Sequence, residues 1–254
     1  MKVRTALVAA VFTLCGALAV VAQPTTKILA GLEYQKPKNG MVKQYEDGRK
    51  QKAAWHKQQN DPQALYVWET LTGESTGTYI VGRLNQHWAD FDKPPIPEQA
   101  DIDEYNKVIG SNVESLTARY YALMPKVSNM GDSKPTDKFA EIITFRVKFG
   151  KDSEFESAIA RVNEAAQKTK WPVAYIWYGL SFGGNTGDYV LVLPHKNWAE
   201  FEGKPDTKPF RDMLKEGLGQ AEADSLINQI NAVVASQTAE IIQFRPDLSY
   251  LPAK

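Results

Sequence analysis

Thr76-Gly77-Thr78-Tyr79 followed by Trp88-Ala89-Asp90-Phe91-Asp92 recurs as Thr186-Gly187-Asp188-Tyr189 followed by Trp198-Ala199-Glu200-Phe201-Glu202. Both parts of the pattern are displaced by the same 110 positions. One displacement shared by two separated matches marks an internal duplication. The ends of the two copies also match. Thr117-Ala118-Arg119-Tyr120-Tyr121-Ala122-Leu123-Met124-Pro125 aligns with Thr238-Ala239-Glu240-Ile241-Ile242-Gln243-Phe244-Arg245-Pro246, now displaced by 121. The second copy therefore carries an insertion of about 11 residues in its second helical region.

Reading outward from the repeat gives each copy the same order. In the first, 28–34 reads as a strand and 41–59 as a helix ended by Asp61-Pro62. Residues 65–71 and 78–84 read as a hairpin rich in aromatic and β-branched residues. Residues 88–92 start a short helical segment, 101–117 reads as a helix, and 118–124 as a closing strand. In the second copy 140–149 is the opening strand. Phe155, Ala158, Ile159, Val162, Ala165 and Ala166 then form one apolar helical stripe, and Ser153 with Glu156 has capping-box spacing. Strands over 173–180 and 189–193, helices over 209–218 and 222–236, and a strand over 239–244 follow. Gly131, Ser133 and Pro135 mark 128–137 as the linker between module one (27–127) and module two (138–250).

Each module is thus strand–helix–strand–strand–helix–strand, the ferredoxin-like plan, with both helices on one face of a four-stranded antiparallel sheet. In Tyr66-Val67-Trp68 and Tyr175-Ile176-Trp177 both alternating sets are hydrophobic, so both faces of the sheet are expected to be buried. Two such modules can press their sheets together. The expected fold class is α+β, with two fused ferredoxin-like modules forming an intrachain pseudo-dimeric α+β barrel.

Composition bounds the function. Of the 254 residues, 43% are apolar and 24% charged, as in an ordinary globular protein. Lys2 and Arg4 precede an apolar, uncharged run over 6–21, and Val20-Val21-Ala22 offers small residues at a cleavage site. This pattern predicts a signal peptide over 1–22 and an exported, periplasmic or extracellular protein with no stable membrane span after cleavage. Cys15 is the one cysteine and lies in that segment, so the remainder has no disulfide and no thiol nucleophile. Without Lys2 and Arg4 the chain carries 28 basic against 30 acidic side chains. Near neutrality argues against nucleic acid as a partner.

In its element order, its duplication and its Tyr-x-Trp strands, the chain resembles the dimeric α+β-barrel superfamily over nearly all of 27–250. That superfamily includes antibiotic-biosynthesis-type monooxygenases, NIPSNAP-like proteins, haem-degrading enzymes and chlorite-dismutase-like proteins. The resemblance implies that one chain builds a whole barrel, so that a monomer suffices. It also implies an oxygenase-like activity, cofactor-independent or haem-dependent, on an aromatic or polyketide-like substrate. Haem is the one cofactor it suggests, and no histidine here maps securely onto the axial position of haem-binding relatives.

The site candidates come from the residues. His56, His87 and His195 are isolated and lack the spacing of a zinc site, so no metal site is expected. His195 follows a strand and reads either as a ligand or proton shuttle or as a loop histidine. Aligning the first helices sets Arg49 opposite Ile159 and Lys52 opposite Val162. Either both reach solvent by snorkelling, the favoured reading, or with His56 they border a helix–sheet pocket suited to an anionic or polar oxygenated ligand. Tyr66, Trp68, Tyr175, Trp177 and Tyr178 are candidates for an aromatic pocket wall or for plain core. Arg146, like Arg245, reads either as an exposed strand-end residue or as part of a polar barrel lining. Asp90/Asp92 and Glu200/Glu202 read as a solvated face. Three functions remain open: small-molecule binding, an oxygenase-like enzyme, and a non-catalytic structural or partner-binding protein.

Overall fold

The computed structural model describes residues 26–203 and 207–253; the signal segment 1–22 lies outside the described residues. Module one runs β1 (Leu29–Pro37), α1 (Val42–Gln58), β2 (Tyr66–Thr70), β3 (Tyr79–Gln86), α2 (Glu98–Val108) and β4 (Val113–Leu123). Module two runs β5 (Phe139–Val147), α3 (Asp152–Lys168), β6 (Ile176–Phe182), β7 (Asp188–His195), α4 (Phe210–Leu218), α5 (Gln220–Val233) and β8 (Val234–Phe244). The insertion in module two is the extra helix, with Gly219 (φ 88°) turning the chain from α4 to α5.

The eight strands close into one antiparallel barrel in the order β1-β3-β2-β8-β5-β7-β6-β4. Each module contributes four neighbouring strands, and the modules meet at two seams, β2–β8 and β4–β6. The repeat holds in the register of those seams. Trp68 faces Phe244 at the first, and Tyr178 faces Leu123 at the second. Closure pairs every strand on both sides, so no free sheet edge is left along most of its length. No described helix is long and apolar enough to cross a membrane.

The repeated signature builds the scaffold. Gly77 and Gly187 take left-handed φ values of 80° and 82° at the hairpin ends. The tyrosine two residues on ties strand to helix: Tyr79 Oη donates to Glu46 Oε1 (2.7 Å) and Tyr189 Oη to Glu156 Oε1 (2.8 Å). The Trp-x-x-Phe pieces form 3-10 turns over Trp88–Asp92 and Trp198–Glu202, with ring centroids 5.7 and 5.3 Å apart. Their first acids are not a solvated pair. Asp90 Oδ2 accepts from the His87 amide, and Glu200 Oε2 from that of Lys196.

Three boundaries differ from expectation by five residues or more. Helix α2 stops at Val108 rather than 117, and β4 and β8 begin several residues early, at Val113 and Val234. Gly110-Ser111-Asn112 ends α2 in a 3-10 turn. The early halves of both strands are polar and exposed, so they lack the alternation that marks a half-buried strand. The capping box at Ser153 does not form. Helix α3 starts at Asp152, with Lys151 before it and no side-chain cap, and Glu156 serves Tyr189 instead.

The helix layers of the two modules are built differently. Module two packs Phe155, Ile159, Trp177, Met213, Leu214 and Leu226 into one apolar cluster. In module one α1 crosses α2 closely: a Cβ on Gly48 would sit 2.0 Å from the Val108 carbonyl oxygen, so only glycine fits. Beside that crossing the apolar set gives way to charges. Ile159, Val162, Ala166, Trp171 and Leu193 of module two correspond to Arg49, Lys52, His56, Asp61 and Arg83.

Candidate functional site

The barrel encloses a cavity of about 250 Å³. Its wall comes from alternate positions of all eight strands: Leu32 and Tyr34 from β1, Trp68 from β2, Ile80 from β3, Tyr121 from β4, Ile142 from β5, Tyr178 from β6, Val190 and Val192 from β7, Ile242 from β8. The interval 128–137 between the modules lies across one mouth. Met130, Ser133, Lys134, Pro135 and Asp137 line it there, and Trp68 Nε1 donates to the Pro135 carbonyl (3.2 Å).

The lining is apolar apart from Asn85, the residues Ser133, Lys134 and Asp137 at the mouth, and a group of phenols. The Tyr34 and Tyr121 hydroxyls are 3.1 Å apart. Arg119 Nη1 donates to Tyr121 Oη (3.4 Å), its guanidinium stacks 4.7 Å over the Tyr34 ring, and its buried Nε has no partner. Burial, reinforced by Tyr121, pushes the Tyr34 hydroxyl well above its ordinary range. Burial alone raises Tyr178 to about 12. The Tyr178 hydroxyl makes no hydrogen bond to another described residue. It is therefore a protonated donor at neutral pH with no acceptor among the described residues.

The sequence candidates fall into three places. Trp68 lines the cavity, and Tyr66 stacks on it at 5.5 Å. Tyr175 and Trp177 do not. Both belong to the helix-side cluster of module two, with Trp177 against Phe145 and Phe155 and Tyr175 Oη donating to Asn163. Matching Tyr-x-Trp by residue type misaligns β6 by one position. The 110-residue displacement sets Trp68 opposite Tyr178, and a one-residue slip in a strand exchanges its faces. Arg146 stands at the exposed end of β5 in a bidentate pair with Asp188 (2.9 and 3.1 Å). His195 stacks on Phe201 at 4.0 Å and is not among the residues lining the cavity.

Arg49, Lys52 and His56 are together and are buried, with 3%, 3% and 1% exposure, which overturns the solvent-facing reading. The helix is not rotated outward, because α2 and the 61–65 loop supply the counter-charges. Lys52 Nζ reaches Asp101 Oδ1 (2.6 Å) and the Asp101 carbonyl (2.6 Å), and lies 4.0 Å over Trp55. His56 Nδ1 lies 2.9 Å from Asp61 Oδ2, and Arg83 Nη2 donates to the same oxygen at 2.7 Å. Burial by itself would raise the Asp61 carboxyl. His56, Arg83 and the Gln63 amide outweigh it and bring the group down to about 2. Asp61, Arg83 and Asp101 had no sequence signal, since each is an isolated charge until the fold joins them.

Arg49 keeps unused capacity: its Nε and Nη2 are buried without a hydrogen-bond partner among the described residues. Burying an unpaired charge is unfavourable. Arg49→Ile, copying Ile159 of module two, is expected to raise the unfolding free energy by about 1–2 kcal/mol, within the gain seen when buried ionic groups become packed apolar ones. Urea denaturation checks it; a loss of stability would mean that the guanidinium has a stabilising partner.

No family model and no curated protein matches the sequence. Solved structures do. A "putative monooxygenase" from Fusobacterium nucleatum has a TM-score of 0.55 at 15% identity, over 87% of this chain and 93% of that one. Another so described, from Lactobacillus acidophilus, has a TM-score of 0.54 at 9% identity, over 89% and 97%. The fold is the dimeric α+β barrel. A haem-binding protein from Thermus thermophilus shares it, with a TM-score of 0.50 at 9% identity over 87% and 92%.

The residues of this α+β barrel do not fit a haem. No histidine lines the barrel cavity, whose volume is small for a porphyrin. The space between helices and sheet in module two is filled by Phe155, Trp177, Met213, Leu214 and Leu226. In module one the histidine on α1, His56, lies against Asp61.

Proposed function

We propose that the protein binds a small, neutral, largely apolar molecule bearing one hydrogen-bonding oxygen inside the barrel. The observation that carries this reading is the Tyr178 hydroxyl, a donor without a partner among the described residues on the wall of a largely apolar cavity. Pockets for drug-sized ligands run to roughly 300–1,000 Å³. At about 250 Å³ this one suits a one- or two-ring molecule such as a phenol or quinone. The charged lining residues are Lys134 and Asp137 at the mouth, so the interior favours an uncharged ligand.

Binding is favoured over oxygenase chemistry because a base must lie within reach of the proton it removes. The one carboxylate of the lining, Asp137, sits at the mouth and accepts from the Lys134 amide, and the interior presents hydroxyls that burial keeps protonated. The signal-like pattern of 1–22 supports placing this binding outside the cytoplasm.

Titration of the protein with 2-naphthol, followed by its fluorescence, tests the reading. Wild type is expected to bind saturably, and Tyr178→Phe about five- to tenfold more weakly, the worth of one hydrogen bond of about 1 kcal/mol. Equal affinity in the two proteins would remove Tyr178 as the anchor. No binding to wild type would defeat the proposal.

A further inference from the structure

The two seams of the barrel are related by the internal repeat, yet one of them lacks a cation that the other contains. At the β2–β8 seam Arg245 lies on the outer face of the sheet. Its Nη1 donates to Glu46 Oε1 (2.6 Å) and Glu69 Oε2 (2.7 Å), and its Nε and Nη2 donate to Asp247 (3.0 and 2.9 Å). Tyr79 Oη holds the same Glu46 oxygen. The Arg245 amide donates to the Val67 carbonyl.

At the β4–β6 seam the backbone repeats: the Met124 amide donates to the Trp177 carbonyl. The carboxylate and its phenol repeat too, as Glu156 and Tyr189. What differs is the side chain between them. Met124 stands for Arg245 and Gly179 for Glu69. The space that results is a groove of about 470 Å³, lined by Met124, Gly179, Glu156 and Tyr189 together with Asp152 and the rings of Trp88 and Phe182. Of the three carboxylates that hold Arg245, Glu46 has its counterpart acid, Glu156, on this groove; Gly179 stands for Glu69, and Lys126, outside the groove lining, for Asp247.

Glu156 and Asp152 accept from Tyr189 Oη (2.8 and 3.4 Å) but pair with no cation among the described residues. Lys27 also lines the groove and forms no ion pair with either. Asp188, the third acid there, is already held by Arg146. Trp88 and Phe182 are 5.5 Å apart, edge to face, and exposed at 41% and 65%. Aromatic faces beside carboxylates suit a flat organic cation, by charge-assisted hydrogen bonds and by cation–π attraction.

We propose that the groove at the β4–β6 seam binds a small molecule carrying a guanidinium group, seated where Arg245 sits at the other seam. The planar fork matches a site whose counterpart already holds a guanidinium by several carboxylates. The groove lies on the outer face, separate from the barrel cavity.

Calorimetric titration with N-butylguanidinium tests this, with butylammonium as the comparison probe. Wild type is expected to bind the guanidinium saturably and at least about fivefold tighter than the ammonium. Glu156→Gln is expected to weaken it about tenfold, the scale of one charge-assisted hydrogen bond. Met124→Arg, which copies the other seam, is expected to occupy the site from within and abolish binding while leaving 2-naphthol binding in the barrel unchanged. Failure of wild type to bind, or equal binding by wild type and both variants, would overturn the proposal. So would a preference for the ammonium.

Discussion

Asp61→Ala is expected to lower the unfolding free energy by about 3–5 kcal/mol, the cost of breaking a buried charge pair by removing one partner. The Asp61 side chain is wholly buried, and its carboxylate is shared by Arg83, by His56 and by the Gln63 amide. Alanine would leave those groups without their acceptor. The corresponding place in module two, Trp171, is part of an apolar layer and needs no charge. A pH series separates this effect from simple loss of packing. The folded-state carboxyl titrates at about 2, below the ordinary 3.8. Its folded value is depressed, so its stabilisation is complete above about 3.8 and is lost as pH falls towards 2. That difference corresponds to about 2 kcal/mol. Urea denaturation of wild type and Asp61→Asn should therefore show a stability gap that shrinks by about that amount between pH 5 and pH 2. A gap independent of pH would remove the ionised Asp61 as the centre of the network.

Ile142→Trp is expected to weaken 2-naphthol binding at least about 100-fold while the protein still folds. Ile142 is on the cavity wall, opposed through the register by Val192 on β7. An indole added there takes up space that a one- or two-ring ligand needs. Overpacking a filled core costs about 1–3 kcal/mol, and an existing cavity reduces that strain. Val192→Trp fills the same space from the neighbouring strand and guards against one variant failing to fold. Thermal unfolding reads stability, and the naphthol titration reads binding. Unchanged affinity in two folded variants would place the ligand somewhere other than the barrel.

The duplication carried the architecture because its signature is structural. Gly77 and Gly187 turn the hairpins, Tyr79 and Tyr189 tie strand to helix, and Trp88 and Trp198 fold the chain back. Each role depends on neighbours in the same module, so the residues recur together. Pairing β2 with β6 by residue type failed because strand faces are set by register. Tyr66-Val67-Trp68 and Tyr175-Ile176-Trp177 look alike, but the first presents Trp68 to the cavity and the second presents Tyr178, one residue beyond it. The constant displacement held that information; the likeness of the residues did not.

The cavity itself had no local signal. Ile142, Val190, Val192 and Ile242 are unremarkable strand residues, and only barrel closure brings them to one space. The ionic cluster was half visible. The exchange of Ile159 and Val162 for Arg49 and Lys52 stands out in the alignment of the first helices. Its meaning depended on Asp61 and Asp101, which lie on a loop and on another helix. Without them, solvent exposure was the physically cheaper reading for two cations.

A crystal soaked with 4-bromophenol tests directly whether a ligand sits inside the barrel. The anomalous signal of bromine locates the ring without reference to any model of the ligand. A bromine peak inside the barrel is expected, among Trp68, Ile142 and Val192, with the phenol oxygen within hydrogen-bonding distance of Tyr178 Oη. A barrel interior with no bromine, in crystals where the compound binds elsewhere or not at all, would contradict it.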